Sequence, residues 1–384
     1  ITDQGADVTD IGRCDTPMLY FAAQGSPGAI NITASHNPPK YNGFKLCRED
    51  AIPISGDTGI KDIEKICMAN DFPQPARKGS IEKKEVLDDF VNFTRSFAKP
   101  PEGRKLKVVI DGANGAGTLT FPHIFNNLGY DYIPLYMEPD GNFPNHEANP
   151  LVEENLEDLK KKVTETGADI GAALDGDADR CMLIDEKGRT LRADIVGDIV
   201  AREILKIHEK STVLYDLRST RATAEDVEEA GGTAIKCRVG HAFIKQQMRD
   251  HNAIFAAELS GHFYFKDHFF TESSAMALLH VLNMMAASGK TASELAAPAQ
   301  RYSHSGEINF EVSDKDRVLE KLEKHFGSKG KVSHLDGLSV DFEDWWFNVR
   351  ASNTEPLLRL NLETPDDSSL EKKKKEIVEI IRNA

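Results

Sequence analysis

The sequence lacks most of what would place a chain in a membrane, on nucleic acid or outside the cell. It carries five cysteines in 384 residues: Cys14, Cys47, Cys67, Cys181 and Cys237. They are odd in number and scattered, with no Cys-x-x-Cys pair. This argues against a disulfide frame or a cysteine-zinc site and points to reduced thiols in the cytoplasm. No apolar run is long enough to span a bilayer, and no secretory leader is visible. Positive charge is in deficit, with 47 Lys and Arg against 62 Asp and Glu, a net charge of −15. That argues against nucleic acid or an anionic membrane as a partner, while leaving room for a local basic pocket. There is no low-complexity tract, and Lys372 to Lys375 reads as the solvated face of a terminal helix. The Gly-Lys-Ser/Thr of a P-loop is missing. Gly112-Ala113-Asn114-Gly115-Ala116-Gly117 has G-x-x-G-x-G spacing, not G-x-G-x-x-G, so it reads as a tight strand-to-helix turn, and a nicotinamide dehydrogenase is disfavoured.

What is present is an ordinary globular composition, 40% hydrophobic and 28% charged, in a chain long enough for several domains. Strands alternate with helices along most of it. After a strand near Val8 and a helix opened by Thr16-Pro17, an apolar run (Ala29 to Ile32) and a second strand (Gly43 to Cys47) flank a polar turn. Ile60, Ile63 and Ile66, and then Val86, Phe90, Phe93 and Phe97, fall at helical spacing. Pro100-Pro101-Glu102-Gly103 reads as a linker. Two βα-alternating units follow. The first has strands at 107–110, 132–135 and 168–174, with helices from about Thr118 and at 156–163. The second has strands at 212–215, 234–237, 253–256 and 263–265, with helices at 195–207, 223–229, 243–248 and 275–287. Such units imply open sheets with ligands at the carboxyl ends of their strands. The last unit, with strands near 307–312, 338–342, 345–349 and 357–362 and helices at 318–326 and 370–381, reads as α+β. The expected domains are 1–100, 101–192, 193–303 and 304–384.

Four loops carry the chemistry. Thr33-Ala34-Ser35-His36-Asn37-Pro38 sets a hydroxyl beside an imidazole on a turn stiffened by Asn-Pro and Pro-Pro, with Lys45 on the strand that leaves it. Asp175, Asp177 and Asp179 alternate at the mouth of a buried strand. Two like charges about 4 Å apart repel by roughly 4 kcal/mol at an effective dielectric of 20, so three converging carboxylates call for a cation. Hard oxygen donors favour Mg²⁺. An EF-hand would use the same spacing, with Glu186 at its twelfth position, but Arg180 stands where that loop needs Gly. Glu258-Leu259-Ser260-Gly261-His262 offers an acceptor, a hydroxyl and an imidazole suited to sugar hydroxyls. Arg350-Ala351-Ser352-Asn353-Thr354 offers a guanidinium, two hydroxyls and an amide, a set suited to a phosphate.

Together these loops resemble those of the α-D-phosphohexomutases, which include phosphomannomutase/phosphoglucomutase enzymes. They fall in family order, one per domain, over the whole chain. The resemblance implies three α/β mixed-sheet domains and a C-terminal α+β, TATA-box-binding-protein-like domain around a central cleft. It implies a reversible phosphoryl shift between C1 and C6 of a hexose phosphate through a phosphoserine at Ser35. Mg²⁺ would be held by Asp175, Asp177, Asp179 and a Ser35 phosphate oxygen. Arg180 and Lys45 would stabilise the transferring group, with Lys45 and His36 as proton handlers. Glu258, Ser260 and His262 would take the sugar. Arg350, Ser352, Asn353 and Thr354 would hold the non-reacting phosphate, and Arg218 and His241 would line the cleft. Glucose 1,6-bisphosphate or mannose 1,6-bisphosphate would act as activator. The family's first domain begins well before its serine loop, so the resemblance leads us to expect a strand, a helix and an arginine loop ahead of Ile1. Ala257 replaces the usual Gly of the sugar loop, and 269–273 lacks an expected paired Asp. Phosphoglucosamine mutase and a non-catalytic phosphosugar-binding protein are the alternatives.

Overall fold

The computed structural model describes residues 1–72, 74–101, 103–352 and 357–383. Its sheets follow the hydrophobic pattern. Ile170–Leu174 is buried at every position and lies in the middle of a five-stranded sheet, as expected of an apolar strand covered on both faces. The strand order is Asp131–Leu135, Lys107–Asp111, Ile170–Leu174, Cys181–Asp185, Thr190–Leu191. The first three are parallel and the last two antiparallel.

The next unit repeats this topology strand for strand. Its order is Thr233–Cys237, Thr212–Asp216, Phe255–Ala257, Phe263–Phe265, Thr271–Glu272. Again the first three are parallel and the last two antiparallel. The helix Ser274–Ser288, buried along most of its length, packs against Ala193–Leu205. The Asp175 loop and the Glu258 loop therefore occupy the same position in successive units, each joining the third strand to the fourth.

The N-terminal residues contribute a smaller part. The helix Thr16–Ala22 is capped by the Asp15 carboxylate, which accepts from Met18 N at 2.8 Å, and has Pro17 in its first turn. Strands Gly28–Ile32 and Phe44–Arg48 form an antiparallel pair around the Ser35 loop. Val8–Asp10 pairs in parallel with Ile81–Lys83. The helix expected from about Thr118 is a 3₁₀ turn, Ala116–Leu119, followed by the five-residue helix Phe121–Phe125. The Thr118 hydroxyl bonds Gly115 O at 2.6 Å and so competes with the helical ladder.

The C-terminal unit has a six-stranded antiparallel sheet whose central strands are Trp346–Ala351 and Leu357–Thr364. The helices Lys315–Phe326 and Asp367–Arg382 pack together against it. Its core, with Leu322, Phe326, Phe347 and Leu360, is a cluster separate from the large one that runs through the preceding units. Among the described residues no helix is long and apolar enough to cross a membrane, and all five cysteines are unpaired.

Candidate active site

Ser35 sits in the left-handed region at φ 52°, a conformation that costs a side chain energy and that clusters at functional sites. Its backbone N–H donates to Thr33 Oγ1 at 2.8 Å. The Ser35 hydroxyl lies 3.0 Å from Asp175 Oδ2 and 3.2 Å from His36 Nδ1. The two loops meet closely: a Cβ on Gly176 would fall 2.2 Å from Ser35 O, so only glycine fits there. Two residues that sequence reasoning passed over fasten the first unit to the acidic loop. The Thr16 hydroxyl donates to Asp177 Oδ2 at 2.6 Å, its N–H donates to Asp177 O at 3.0 Å, and Asn31 Nδ2 donates to Thr16 Oγ1 at 2.7 Å. The Gly112 turn is a brace behind this loop, with Ala116 N donating to Gly176 O at 2.8 Å.

Asp175, Asp177 and Asp179 are all buried, and one oxygen from each lies within 4.8 Å of the others. Lys45 Nζ is 2.6 Å from Asp177 Oδ2 and also pairs with Asp179 Oδ2. Asp177 Oδ1 is buried without a hydrogen-bond partner. An orphaned carboxylate oxygen in an all-oxygen set of three suits a hard divalent cation. Glu186 takes no part: it accepts from Ser293 N at 3.1 Å, so an EF-hand arrangement is absent. Burial raises the Asp175 pKa well above the usual carboxylate range, and Asp179 and Asp177 push the same way. Burial works against the Lys45 charge, but Asp177, Asp179 and Asp175 outweigh it, so Lys45 holds its proton. Burial, assisted by the charge of Arg180, takes the His36 imidazole down to about 4 and leaves it neutral at pH 7.

The Glu258 loop joins the same cluster. Cys181 N donates to Gly261 O at 3.0 Å, and Arg180 and His262 form an antiparallel bridge. Arg180 Nε donates to His262 Nε2 at 3.2 Å, and its N–H donates to Asp175 Oδ1 at 3.2 Å. His262 Nδ1 is 3.1 Å from Glu258 Oε2 and 2.9 Å from Ser260 Oγ. Tyr264 OH donates to the same Glu258 oxygen at 2.9 Å. Burial opposes the Glu258 charge, but the His262 hydrogen bond, His262 and Arg218 hold its pKa below the usual range.

The two cleft residues expected from the third unit are placed differently. Arg218 is buried and grips Asp216, with Nη2 at 2.6 Å from Oδ2, and stands 3.5 Å from Glu258 Oε1. Asp216 also accepts from Leu259 N at 2.8 Å and so positions the Glu258 loop. His241 is half-exposed, 3.6 Å from Glu272 Oε1. Arg350 is buried, with Nη2 at 3.1 Å from Glu307 Oε2, an oxygen that Arg218 Nη1 also approaches at 3.3 Å. Arg218 and Arg350 thus face one carboxylate from two different units. Ser352 N donates to Leu357 O at 2.9 Å. Asn353 and Thr354 lie outside the described residues.

A chain with this fold, a serine hydroxyl beside an acidic cluster and two buried arginines facing one carboxylate, has the build of an enzyme that transfers phosphoryl groups. Comparison with known proteins makes this specific. Models of four phosphoglucomutase/phosphomannomutase domains match in order: alpha/beta/alpha domain I at residues 1–74, domain II at 85–188, domain III at 192–302 and the C-terminal domain at 307–380. A phosphomannomutase of Methanocaldococcus jannaschii is 41% identical over 380 residues, 98% of this chain and 84% of that protein. A phosphomannomutase of Salmonella montevideo is 38% identical over 395 residues, 100% of this chain and 87% of that protein. The crystal structure of a phosphoglucomutase/phosphomannomutase family protein from Burkholderia thailandensis superposes with a TM-score of 0.90 at 31% identity, covering 100% of this chain and 84% of that one. The chain belongs to the phosphoglucomutase/phosphomannomutase family and is a phosphohexomutase, an isomerase.

Proposed function

We propose that this chain moves a phosphoryl group reversibly between the C1 and C6 oxygens of a hexose phosphate, with glucose and mannose phosphates as substrates. The reading rests chiefly on the Ser35 hydroxyl, placed on a strained turn between a neutral imidazole and an acidic cluster that fits a cation. Mg²⁺ on Asp175, Asp177 and Asp179 would supply positive charge opposite the transferring group. Ser35 Oγ gives up its proton to His36 Nδ1 or Asp175 Oδ2 as it bonds to phosphorus, while the bond from that phosphorus to the donor sugar oxygen breaks and the sugar oxygen takes up a proton. In the opposite direction a sugar hydroxyl loses its proton as its oxygen bonds to phosphorus, and the bond from phosphorus to Ser35 Oγ breaks. Lys45 and Arg180 neutralise charge on the moving group. Glu258, Ser260 and His262 take sugar hydroxyls, with Arg218 and His241 along the cleft. Arg350 and Ser352, with Asn353 and Thr354, hold the phosphate that is not reacting. A hexose 1,6-bisphosphate, of glucose or mannose, primes Ser35. The five unpaired cysteines support a reducing, cytoplasmic setting.

Intact-mass analysis with phosphopeptide mapping tests this reading directly. After incubation with Mg²⁺ and glucose 1,6-bisphosphate, one phosphoryl group is expected on Ser35, and none in Ser35→Ala. An unmodified Ser35 under these conditions refutes it.

A further inference from the structure

The acidic cluster has a second side, reaching to Glu272, a residue to which the phosphoryl-transfer reading gives no role. Asp179, His262 and Glu272 also bring one ligand atom each within 4.8 Å of one another, and all three are buried. They come from the second unit, the Glu258 loop and the short fifth strand of the third unit. His262 Nε2 is 3.5 Å from Asp179 Oδ1, and His241 Nδ1 is 3.6 Å from Glu272 Oε1. Ligand atoms 2.0–2.1 Å from a tetrahedral ion lie about 3.4 Å apart, which the His262–Asp179 spacing matches, and His241 approaches the group from the Glu272 side.

The outer contacts support the same arrangement. His262 is oriented through its other nitrogen by Glu258 at 3.1 Å. Asp179 gives its Oδ2 to Lys45, and Glu272 gives its Oε2 to the buried Lys245 at 2.6 Å. Asp179 and His262 are thus fixed by the atom they do not offer, the pattern by which proteins orient metal-binding side chains, while Glu272 is held by the Lys245 charge without a hydrogen bond. The offered oxygens are orphans: Asp179 Oδ1 and Glu272 Oε1 are buried without a hydrogen-bond partner. A buried, unsatisfied oxygen is costly, more so if charged, and a cation would satisfy both. One contact opposes it, the 3.2 Å bond from Arg180 Nε to His262 Nε2.

We propose that Asp179, His262 and Glu272 form a second cation site, with His241 or water completing it, that selects a borderline ion such as Zn²⁺ or Co²⁺ over Mg²⁺. The imidazole sets the selectivity, because nitrogen donors favour Zn²⁺ and Co²⁺ whereas Mg²⁺ prefers oxygen and water. Asp179 is shared between the two sites. Occupation displaces Arg180 from His262 and ties up His262, so the ion inhibits. The binding stands independently of the phosphoryl-transfer reading, and only the inhibition rests on it.

Titrating the full chain with Co²⁺ in excess Mg²⁺ tests the site by visible absorption. The expected result is one Co²⁺ per chain whose bands persist in Mg²⁺, disappear on adding Zn²⁺ and survive Asp175→Asn. Glu272→Gln/Lys245→Met, which removes the buried pair together, and His241→Ala should each weaken Co²⁺ binding by about tenfold or more. His241 is half-exposed, so its replacement tests the site without disturbing a core. Bands that are absent, quenched by Mg²⁺, lost in Asp175→Asn or unchanged in both other variants overturn the site. Inhibition by Zn²⁺ at constant Mg²⁺ should ease by about tenfold in the double variant. Equal inhibition of both proteins overturns the inhibitory role. Failure of Ser35 to become phosphorylated would refute the transfer reading and leave the Co²⁺ spectrum untouched.

Discussion

The second and third units share one strand order, and each spends its third loop on different chemistry. In the second unit that loop is Asp175 to Arg180, which gathers three buried carboxylates in an arrangement that fits a cation. In the third it is Glu258 to His262, which presents an acceptor and two donors. The equivalence extends to the first strand of each sheet, which ends in a buried aspartate, Asp111 or Asp216. Each aspartate accepts from the N–H two residues on, at 2.8 and 2.6 Å. Each then takes a basic partner: His146 Nε2 at 3.0 Å for Asp111, Arg218 Nη2 at 2.6 Å for Asp216. One scaffold therefore supplies two halves of a site, and function is decided in a few loop residues.

The largest difference between the two loops should follow from removing the charge that distinguishes them. Asp175→Asn should lower kcat by about 10²–10³, seen in coupled turnover assays. Glu258→Gln should chiefly raise KM, by about 10- to 100-fold, the loss of a hydrogen bond to a charged group. If both variants lower kcat equally with KM fixed, the division of labour is wrong. A smaller effect is expected at the loop glycines. Gly176→Ala collides with Ser35 O and should slow Ser35 phosphorylation as well as lower the melting temperature. Gly261 is at φ 87°, and Gly261→Ala should cost about 1 kcal/mol or more.

The smallest expected difference is in pH dependence. Burial works against a charged His146, yet the Asp111 hydrogen bond and charge outweigh it and raise its pKa above 6.5. The folded state therefore binds this proton more tightly than the unfolded one. The stability it contributes is complete below about pH 6.5. It is lost as pH rises through the raised value. Arg218 keeps its proton throughout and contributes no such slope. Denaturant titrations from pH 5 to 8 should show a slope that His146→Gln removes and that persists in an Arg218→Lys variant.

Much of this was legible in the sequence because the sheets are deeply buried. A strand such as Ile170–Leu174 announces itself by an unbroken apolar run, and the Asp175 loop by three carboxylates at its mouth. The two- and three-residue strands at Thr190–Leu191, Ser303–His304 and Lys331–Ser333 are too short to carry a period. The pairings of Thr16 with Asp177, Lys245 with Glu272 and Arg218 with Glu307 were not legible. Their partners lie 161, 27 and 89 residues apart; only folding brings them together.

The C-terminal unit has its own core, and charged and polar groups join it to the third. Lys236 pairs with Asp341 at 3.1 Å, Arg221 N donates to Glu363 at 2.9 Å, and Arg218 and Arg350 share Glu307. Half-exposed charge pairs are screened by salt, whereas apolar cores are not weakened by it. Among these seam contacts, the half-exposed Lys236–Asp341 pair is therefore the one that responds to ionic strength, while the buried arginines that face Glu307 respond little. The medium itself helps to set how firmly the C-terminal unit is joined to the third.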